Sequence, residues 1–358
     1  MNTTSIYPTP KILEFDLPKH LQCSKPTEER GIARDEVKLM ISQTSNNHID
    51  HDIFRNIGDY LQEGDVLVVN TSGTLKAALE TEYTDGTVLR VHLSTRKAYQ
   101  HWIIELREVV ENGTHRFTKA RKGDQLPLAT GFLQLLEPYY DDTTNDHLQL
   151  WVAKFNIPIA VEDYLDQYGK PIRYNYIKDL YPQSYYQTVF ANEMGSAEMP
   201  SAGRAFTPEL VTQLVSKGIQ IIPILLHTGV ASLEANERPY SEYYKISQHS
   251  AAQLNLAKQQ NKRIVAVGTT VVRTLETKFD ISSNQFRYGE GWTDIFITPQ
   301  RGIHSINGLL TGMHEPKASH LYMLEALANR EHLALCYQEA IEQEYLWHEF
   351  GDLHLILA

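Results

Sequence analysis

The segment 263–279, RIVAVGTTVVRTLETKF, constrains the fold more than any other part of the chain. Its apolar run at 264–267 is typical of a buried strand, and Gly268 then interrupts that pattern. Apolar residues recur at helical spacing from there to the end of the segment. Thr269 and Thr270 are residues of the kind that caps a helix N-terminus. The segment therefore predicts a buried strand, a tight turn and an amphipathic helix that begins at these threonines.

This predicted helix start is a candidate ligand site. The first N–H groups of a helix lack intrahelical partners and carry the positive end of the helix dipole, so they suit a carboxylate, a phosphate or a developing oxyanion. Arg273 and Glu276 lie one turn further on, within reach of a ligand or of each other. The alternative is that the threonines only cap the helix. The segment lacks the glycine-rich fingerprint of a dinucleotide or P-loop site.

Length and composition narrow the class of protein. A chain of 358 residues can bury a large core and is expected to form two domains. The net charge of -11 argues against a broad basic face for nucleic acid but not against a local basic groove. Cys23 and Cys336 lie far apart, without a metal or disulfide pattern, and no apolar run is long enough to span a membrane. We therefore expect a cytoplasmic protein without a metal, and we expect a monomer.

Two kinds of sequence pattern alternate along the chain. Strand-like and helix-like patterns over 1–76 and 157–358 predict an α/β main domain. Between them, over 77–156, the turn signal Asp85–Gly86 and short β-rich runs predict an inserted small antiparallel β-barrel domain. In the main domain we predict strands at 36–41, 66–69, 219–226, 264–267, 294–297 and 353–357, and helices at 208–216, 250–260, 319–328 and 333–345. Phe54, Ile57 and Leu61 suggest one more helix, and Thr207 and Pro208 mark the start of the helix at 208–216.

Polar residues follow several of the predicted strands. Asn70, His227, Gly268 with its two threonines, and Thr311 with His314 each come at or after a strand's end. If those strands are parallel, these residues meet at one edge of the sheet, where α/β proteins bind ligands. The two histidines are acid–base candidates, since imidazole titrates near neutral pH, although a packing or loop role is the more common one for either histidine taken alone. The carboxylates nearest these segments are Glu242, Glu276, Asp294 and Asp352.

Taken in order, these motifs resemble one family, the S-adenosylmethionine:tRNA ribosyltransferase-isomerases of the queuosine pathway. The resemblance extends from the segment 15–18 to the C-terminus. The matching motifs are GDVLVVN at 64–70, YQTVF at 186–190, GS at 195–196, PSAG at 200–203 with FT at 206–207, AVGTT at 266–270 with RTLE at 273–276, TDIFI at 293–297, Thr311 with His314, PK at 316–317 and GD at 351–352.

The resemblance implies the same fold, an α/β domain interrupted by a β-barrel insert, and an unusual reaction. S-adenosylmethionine is then a co-substrate that donates its ribosyl group, and no metal is needed. Its sulfonium acidifies the adjacent C5′–H, a base removes that proton, and rearrangement releases adenine and methionine. The ribosyl moiety is left as an epoxycyclopentanediol on a 7-aminomethyl-7-deazaguanine base in tRNA, which gives epoxyqueuosine.

The resemblance also implies which residues form the site. The candidates for catalysis are His314, His227, Glu242 and Asp352. The candidates for substrate binding are Asn70, Tyr186, Gln187, Ser196, Ser201, Gly203, Arg204, Gly268, Thr269, Thr270, Arg273, Glu276, Asp294 and Thr311.

The chain departs from the family pattern in its polar loops. The altered loops include 70–73, 171–177, 203–207, 229–242 and 348–352, with the loss of three histidines and an arginine. Arg204 and Arg173 are candidates to compensate, because a guanidinium pairs with phosphate or carboxylate. The alternative is an enzyme of the same fold that uses S-adenosylmethionine or a related nucleoside with a different, non-tRNA acceptor. A non-catalytic protein that binds a nucleoside or RNA is a third hypothesis.

Overall fold

The structure is a computed structural model that describes residues 13–111, 113–139, 150–230 and 241–358. In chain order its strands are β1 (Lys38–Gln43), β2 (His48–Ile53), β3 (Val66–Asn70), β4 (Ser72–Thr74), β5 (Ala78–Glu82), β6 (Val88–Ala98), β7 (His101–Val110), β8 (Gly113–Arg116), β9 (Gln125–Pro127), β10 (Phe132–Pro138), β11 (Leu150–Asn156), β12 (Glu193–Ser196), β13 (Gln220–Leu226), β14 (Glu242–Ile246), β15 (Ile264–Val267), β16 (Phe279–Asp280), β17 (Gln285–Phe286), β18 (Gly289–Thr293), β19 (Gly308–Gly312) and β20 (Leu353–Leu357).

The α-helices are α1 (Thr27–Arg30), α2 (Val161–Tyr168), α3 (Pro208–Ser216), α4 (Gln248–Gln259), α5 (Thr269–Lys278), α6 (His320–Ala328) and α7 (Arg330–Glu342). Short 3₁₀ helices lie at Lys19–Leu21, Arg34–Glu36, Phe54–Asp59, Gln183–Tyr186 and Ser201–Gly203. In the part of the chain that the structure describes, none of the helices combines the length and the apolar character needed to cross a membrane.

The main sheet has nine strands in the order β18-β14-β13-β3-β15-β19-β20-β1-β2. The neighbouring pairs β13–β3, β3–β15 and β15–β19 are parallel, so the carboxyl ends of these four strands lie at the same edge. Beyond β19 the direction changes, because β20 pairs antiparallel with it. The predicted meeting of the polar residues at one edge of the sheet required parallel strands, and these four strands are parallel.

The apolar run of β3 is buried on both faces, which explains why it does not alternate with polar residues. Val66 and Val68 pack into a core with Leu254 of α4 and Leu275 of α5. The intervening Leu67 packs on the other face, in a core that includes residues of α3. Two layers of helix thus cover the sheet and leave its strand ends as the place where loops can form a site.

Residues 78–156 contribute a second sheet, ordered β5-β6-β7-β11-β10-β9, with β8 on β7. Every pairing in it is antiparallel. Its two ends approach each other, since the Thr81 hydroxyl of β5 donates to the Pro127 carbonyl of β9 over 2.6 Å. The sheet is therefore a nearly closed antiparallel barrel, with a separate apolar core around Val91, Ile104 and Leu133. The division into domains at 76/77 and 156/157 stays a prediction.

Most of the predicted strands and helices lie where the sequence patterns placed them, with two exceptions, and several strands of the main sheet, among them β2, β14 and β18, were not predicted. The strand predicted at 294–297 is wrong, because β18 ends at Thr293, whose hydroxyl accepts the Ile295 N–H over 3.3 Å and turns the chain away. The predicted helix around Phe54 is a 3₁₀ helix. The strand β2 was not predicted, because as an outer strand its sequence HIDHDI is largely polar.

The start of α3 is as predicted. Thr207 is the N-cap, its hydroxyl accepts the Leu210 N–H over 3.2 Å, and Pro208 occupies the first helical position. This is a local motif, so the sequence alone determines it.

We expect Thr207→Ala to lower the free energy of unfolding by about 1 kcal/mol, because it leaves an N–H of the first turn without its acceptor. Urea unfolding followed by circular dichroism measures the change. The matched control is Thr212→Ala in the same helix, whose hydroxyl only bonds back to the Pro208 carbonyl. An equal loss for both variants would contradict a capping role.

Candidate active site

A cleft of about 1000 Å³ opens at the carboxyl ends of β13, β15 and β19. Its floor consists of the residues that directly follow these strands, and one wall carries side chains of the barrel-like sheet. The lining includes Arg107, His115, Arg116, Tyr174, Tyr176, the segment 198–202, 228–230, Glu242, 268–270, Arg273, 311–320, His348 and Glu349. The cleft therefore lies where ligands bind in α/β proteins, between the two sheets.

The start of α5 faces this cleft, but its cap differs from the prediction. The N-cap is Gly268, and Thr269 and Thr270 are the first two helical residues, without a capping hydrogen bond. Gly268 has a φ of 96°, a backbone angle that favours glycine, so the cap position could not be a threonine. Both threonines line the cleft together with the N-terminal end of the helix. The corner remains suited to an anionic group.

Glu242 and Arg273 form a buried ion pair at the side of the cleft. The second carboxylate oxygen of Glu242 accepts the Gly229 N–H over 2.8 Å. Arg273 also donates to the Thr293 carbonyl over 3.2 Å, and its Nε has no partner among the described residues. Glu276, which the sequence placed beside Arg273, instead accepts from Arg301. The pair thus holds a positive and a negative group near the N-terminal end of α5.

His314 lies in the loop after β19, with its Nε2 2.9 Å from the Thr311 hydroxyl. Its ring stacks on His320, with centroids 4.7 Å apart and planes 5° apart. Burial, together with nearby histidines, lowers the pKa of His314 well below its ordinary value. Burial lowers the pKa of His320 to about 4. Both imidazoles are therefore neutral at physiological pH, and a neutral imidazole can accept a proton.

Two further groups in the cleft were missed by the sequence reasoning. Tyr174, Tyr176 and His348 form a stack, with the two tyrosines 5.5 Å apart and Tyr176 4.1 Å from His348. Beside them Glu349 has a carboxyl oxygen, Oε1, that is buried without a hydrogen-bond partner among the described residues. The only available signal was that these residues fall in two of the loops that depart from the family pattern. Their proximity is tertiary, because the segments are far apart in sequence.

Ser201, Gly268, Thr269, Thr270, Arg273, Thr311, Glu242 and His314 are thus the predicted site residues that line the cleft. The remaining predicted residues lie elsewhere, in three groups.

Asn70, Ser196 and His227 form the first group, a partly buried network outside the lining of the cleft. The Asn70 amide bonds both the N–H and the carbonyl of Leu226, at 3.0 and 2.8 Å. The Ser72 hydroxyl links Ser196, at 2.6 Å, to His227 Nδ1, at 2.7 Å. Burial lowers the pKa of His227, although Glu193 opposes this. The network ties the ends of β3 and β13 together.

The second group surrounds Arg204. Its guanidinium pairs with Glu28 and stacks over the Phe350 ring, so it does not reach the cleft. Gln187 bonds the backbone of Thr74 through both amide atoms, at 2.9 and 2.7 Å. Tyr186 is buried against Phe350, and Gly203 ends a 3₁₀ helix. Arg173 donates to the Lys178 carbonyl and does not line the cleft either.

Glu276, Asp294 and Asp352 are the third group. Besides Arg301, Glu276 accepts the N–H groups of His304 and Ser305, both at 2.8 Å. Asp294 is exposed beyond the end of β18. Asp352 accepts the N–H groups of Lys38 and Leu346, at 2.8 and 2.7 Å, which joins the last loop to β1. These contacts hold backbone segments in place, and catalytic roles for Asp352 and His227 stay predictions.

The fold and site define an α/β protein with a polar, partly aromatic cleft at its parallel strand ends, beside a barrel-like antiparallel sheet. A sequence model of the queuosine biosynthesis protein family matches residues 11–356. The chain belongs to that family.

Two similar proteins both carry the name S-adenosylmethionine:tRNA ribosyltransferase-isomerase. The one from Desulfitobacterium hafniense is 34% identical over 96% of this chain and 98% of its own. The one from Carboxydothermus hydrogenoformans is 33% identical over 97% of this chain and 100% of its own. Among solved structures, an S-adenosylmethionine tRNA ribosyltransferase from Thermotoga maritima matches with a TM-score of 0.52 and 27% identity, over 96% of this chain and 99% of its own.

The Glu242–Arg273 pair predicts a strong energetic coupling. Their side chains are only 10% and 11% exposed, so Glu242→Gln or Arg273→Met alone leaves a charge buried and unpaired and costs about 3–5 kcal/mol. We expect the double variant to lose less than the sum of the two single losses in urea unfolding. The exposed pair Lys217–Asp59 is the control, with a coupling of about 1 kcal/mol or less. Additive losses at Glu242 and Arg273 would contradict the coupling.

The neutral histidines predict acid sensitivity. A histidine with a folded-state pKa of about 4 takes up its proton earlier when unfolded, so stability is lost as pH falls through the unfolded value near 6.5. For His320 this loss is about 2 kcal/mol between pH 7 and pH 5. We expect His320→Gln to reduce the pH dependence of the unfolding free energy by that amount. An unchanged pH dependence would contradict the burial of a neutral ring, and exposed His249→Gln is the control.

Proposed function

We propose that this protein is an S-adenosylmethionine:tRNA ribosyltransferase-isomerase. It transfers the ribosyl group of S-adenosylmethionine to 7-aminomethyl-7-deazaguanine in tRNA and isomerises it, which yields epoxyqueuosine, adenine and methionine. The observation that carries this proposal is the match to enzymes of that name along nearly the whole chain, at 34% identity. The polar cleft at the parallel strand ends supports it, because a site of that kind can hold a nucleoside.

His314 is the base that removes the C5′ proton in this proposal. The neighbouring sulfonium makes that proton acidic, so a neutral imidazole suffices to accept it. His314 is held neutral by burial, and Thr311 orients its ring through Nε2. Its outer neighbour His320 keeps the ring plane fixed by stacking.

The start of α5 holds the methionine carboxylate. The N–H groups of its first turn and the hydroxyls of Thr269 and Thr270 supply donors, with the helix dipole behind them. Glu242 offers a carboxylate near the same corner, as the methionine ammonium and the sulfonium require. Arg273 holds Glu242 in place through their ion pair.

The tRNA approaches from the barrel-like sheet. Arg107, His115 and Arg116 of β7 and β8 line the cleft on this side, and Lys317 lines it on the other. The arginine and lysine side chains of this group can contact phosphates although the whole chain has a charge of -11, and Arg107 and Lys317 also pair with Glu105 and Glu14. S-adenosylmethionine is the co-substrate, no metal takes part, and the protein acts as a monomer in the cytoplasm.

Release of adenine tests the proposal. The wild-type protein is incubated with S-adenosylmethionine and tRNA carrying the aminomethyl-deazaguanine base, and adenine and methionine are measured by mass spectrometry. We expect release that requires this tRNA, with a matching gain in tRNA mass. His314→Ala should lower the rate about 100-fold or more, since it removes an acid–base group, while S-adenosylmethionine still binds.

The control for this assay is His249→Ala, an exposed histidine on α4 outside the cleft. It should leave the rate unchanged. Release without tRNA, or none from the wild type despite binding of S-adenosylmethionine, would overturn the proposed acceptor. A His314 variant with the wild-type rate would leave the reaction standing but refute the assignment of the base.

A further inference from the structure

One wall of the cleft combines three stacked rings with a carboxyl group. The planes of Tyr174 and Tyr176 are 7° apart, and those of Tyr176 and His348 are 14° apart, so the rings form one continuous stack. Such a stack offers a flat apolar face, and a purine ring can extend it. The Tyr174 hydroxyl is fixed, because it donates to Glu198 over 2.6 Å.

Glu349 directly follows the last ring of this stack in sequence and also lines the cleft. Its Oε1 is buried without a hydrogen-bond partner among the described residues, which is costly for a polar atom unless a ligand provides a partner. No arginine, lysine or histidine of the described part of the chain forms an ion pair with this carboxyl group. The surroundings therefore favour a carboxyl that carries a proton.

The charged and titratable groups around Glu349 point the same way. Burial first, and then the negative charge of Glu198, raise the pKa of Glu349 to about 8, while Arg204 opposes the shift. Arg204 is itself neutralised by its ion pair with Glu28. Four further groups near Glu349 are uncharged at neutral pH: Tyr174, Tyr176, Tyr186 and, on its own loop, His348. Arg34, which lines a small cavity together with Glu349, forms an ion pair with Glu28.

We propose that the stack Tyr174–Tyr176–His348 binds the adenine of S-adenosylmethionine and that the Glu349 carboxyl gives it a proton as it leaves. This inference rests on the proposed function, in which adenine departs from the ribosyl group. It names a base-binding wall and a proton donor that are separate from the proton acceptor His314. The two roles need two groups, because C5′ and the base lie at opposite ends of the ribose.

The proton transfer balances without a further reactant. The C1′–N9 bond breaks, and its electron pair moves to the adenine ring. The O–H bond of the carboxyl breaks at the same time, and the proton adds to a ring nitrogen, so neutral adenine leaves. Glu349 becomes a carboxylate and takes a proton from water before the next turnover. The group that departs is the one that needs a proton, which is why we assign the wall to adenine rather than to the tRNA base.

The test is the pH dependence of adenine release in single turnovers, with saturating S-adenosylmethionine and tRNA. For the wild type we expect the rate to fall as pH rises above about 8, since Glu349 is then ionised and has no proton to give. Glu349→Gln should lower the rate about 100-fold or more and abolish that fall, with the affinity for S-adenosylmethionine within about twofold of wild type. Glu349→Asp should restore part of the rate and part of its fall above pH 8.

Glu331→Gln, an exposed carboxyl on α7, is the matched control and should leave rate and profile as in the wild type. A Glu349→Gln variant with the wild-type rate and profile would overturn the proton donor while the proposed function stands. Absence of adenine release from the wild type would instead overturn the proposed function, and this inference with it.

The binding of adenine by the stack can be tested separately if the Glu349 variants do not fold. Tyr176→Leu removes the middle ring of the stack, so S-adenosylmethionine should bind about tenfold more weakly in calorimetry. The loss of rate above pH 8 should persist, because Glu349 remains. Unchanged affinity, with a melting temperature that shows a folded variant, would overturn the wall as the adenine site.

Discussion

The parallel pairing of β3 with β13 and β15 is the constraint on which the rest of the structure depends. Ile264 and Gln220 both lie opposite Val66, so the three strands run in register and their carboxyl ends lie at the same edge of the sheet. Since β3 and β15 are buried on both faces, polar residues are excluded from their interiors and gather where they end. Asn70 reinforces this alignment, as it clamps the last residue of β13. The location of the cleft is thus a consequence of how the sheet is buried.

Local patterns let the sequence predict much of this fold. Apolar runs identified β3, β13, β15 and β20, and Thr207 identified the start of α3, because strand burial and capping depend on neighbours in sequence. The cap of α5 was misassigned for a related reason. Its turn needs a positive φ at Gly268, and composition alone does not show which residue of Gly–Thr–Thr takes that position.

The contacts of the candidate site residues could not be predicted in the same way, because partners far apart in sequence decide what a polar side chain does. Arg204 looked free to pair with a substrate, yet its guanidinium forms an ion pair with Glu28, 176 residues away. Asp352 is a catalytic candidate, and the sequence does not reveal that its carboxylate accepts the Lys38 N–H, 314 residues away. Glu349 was overlooked, since only the fold brings Glu198 and the two tyrosines to its side. Residue type restricts the possible chemistry, and tertiary contacts select from it.

Burial also sets the protonation states in the cleft. It lowers the pKa of an imidazole and raises the pKa of a carboxyl group. Removing water disfavours whichever form is charged, so the same environment that keeps His314 without a proton lets Glu349 keep one. A neutral base and a neutral acid can then coexist in one cleft near pH 7. In water, the acid would lose its proton long before the imidazole lost its own. Because a reaction that takes a proton at C5′ and gives one to adenine needs this reversed order, the burial that shifts the pKa values of both groups is itself part of the proposed mechanism.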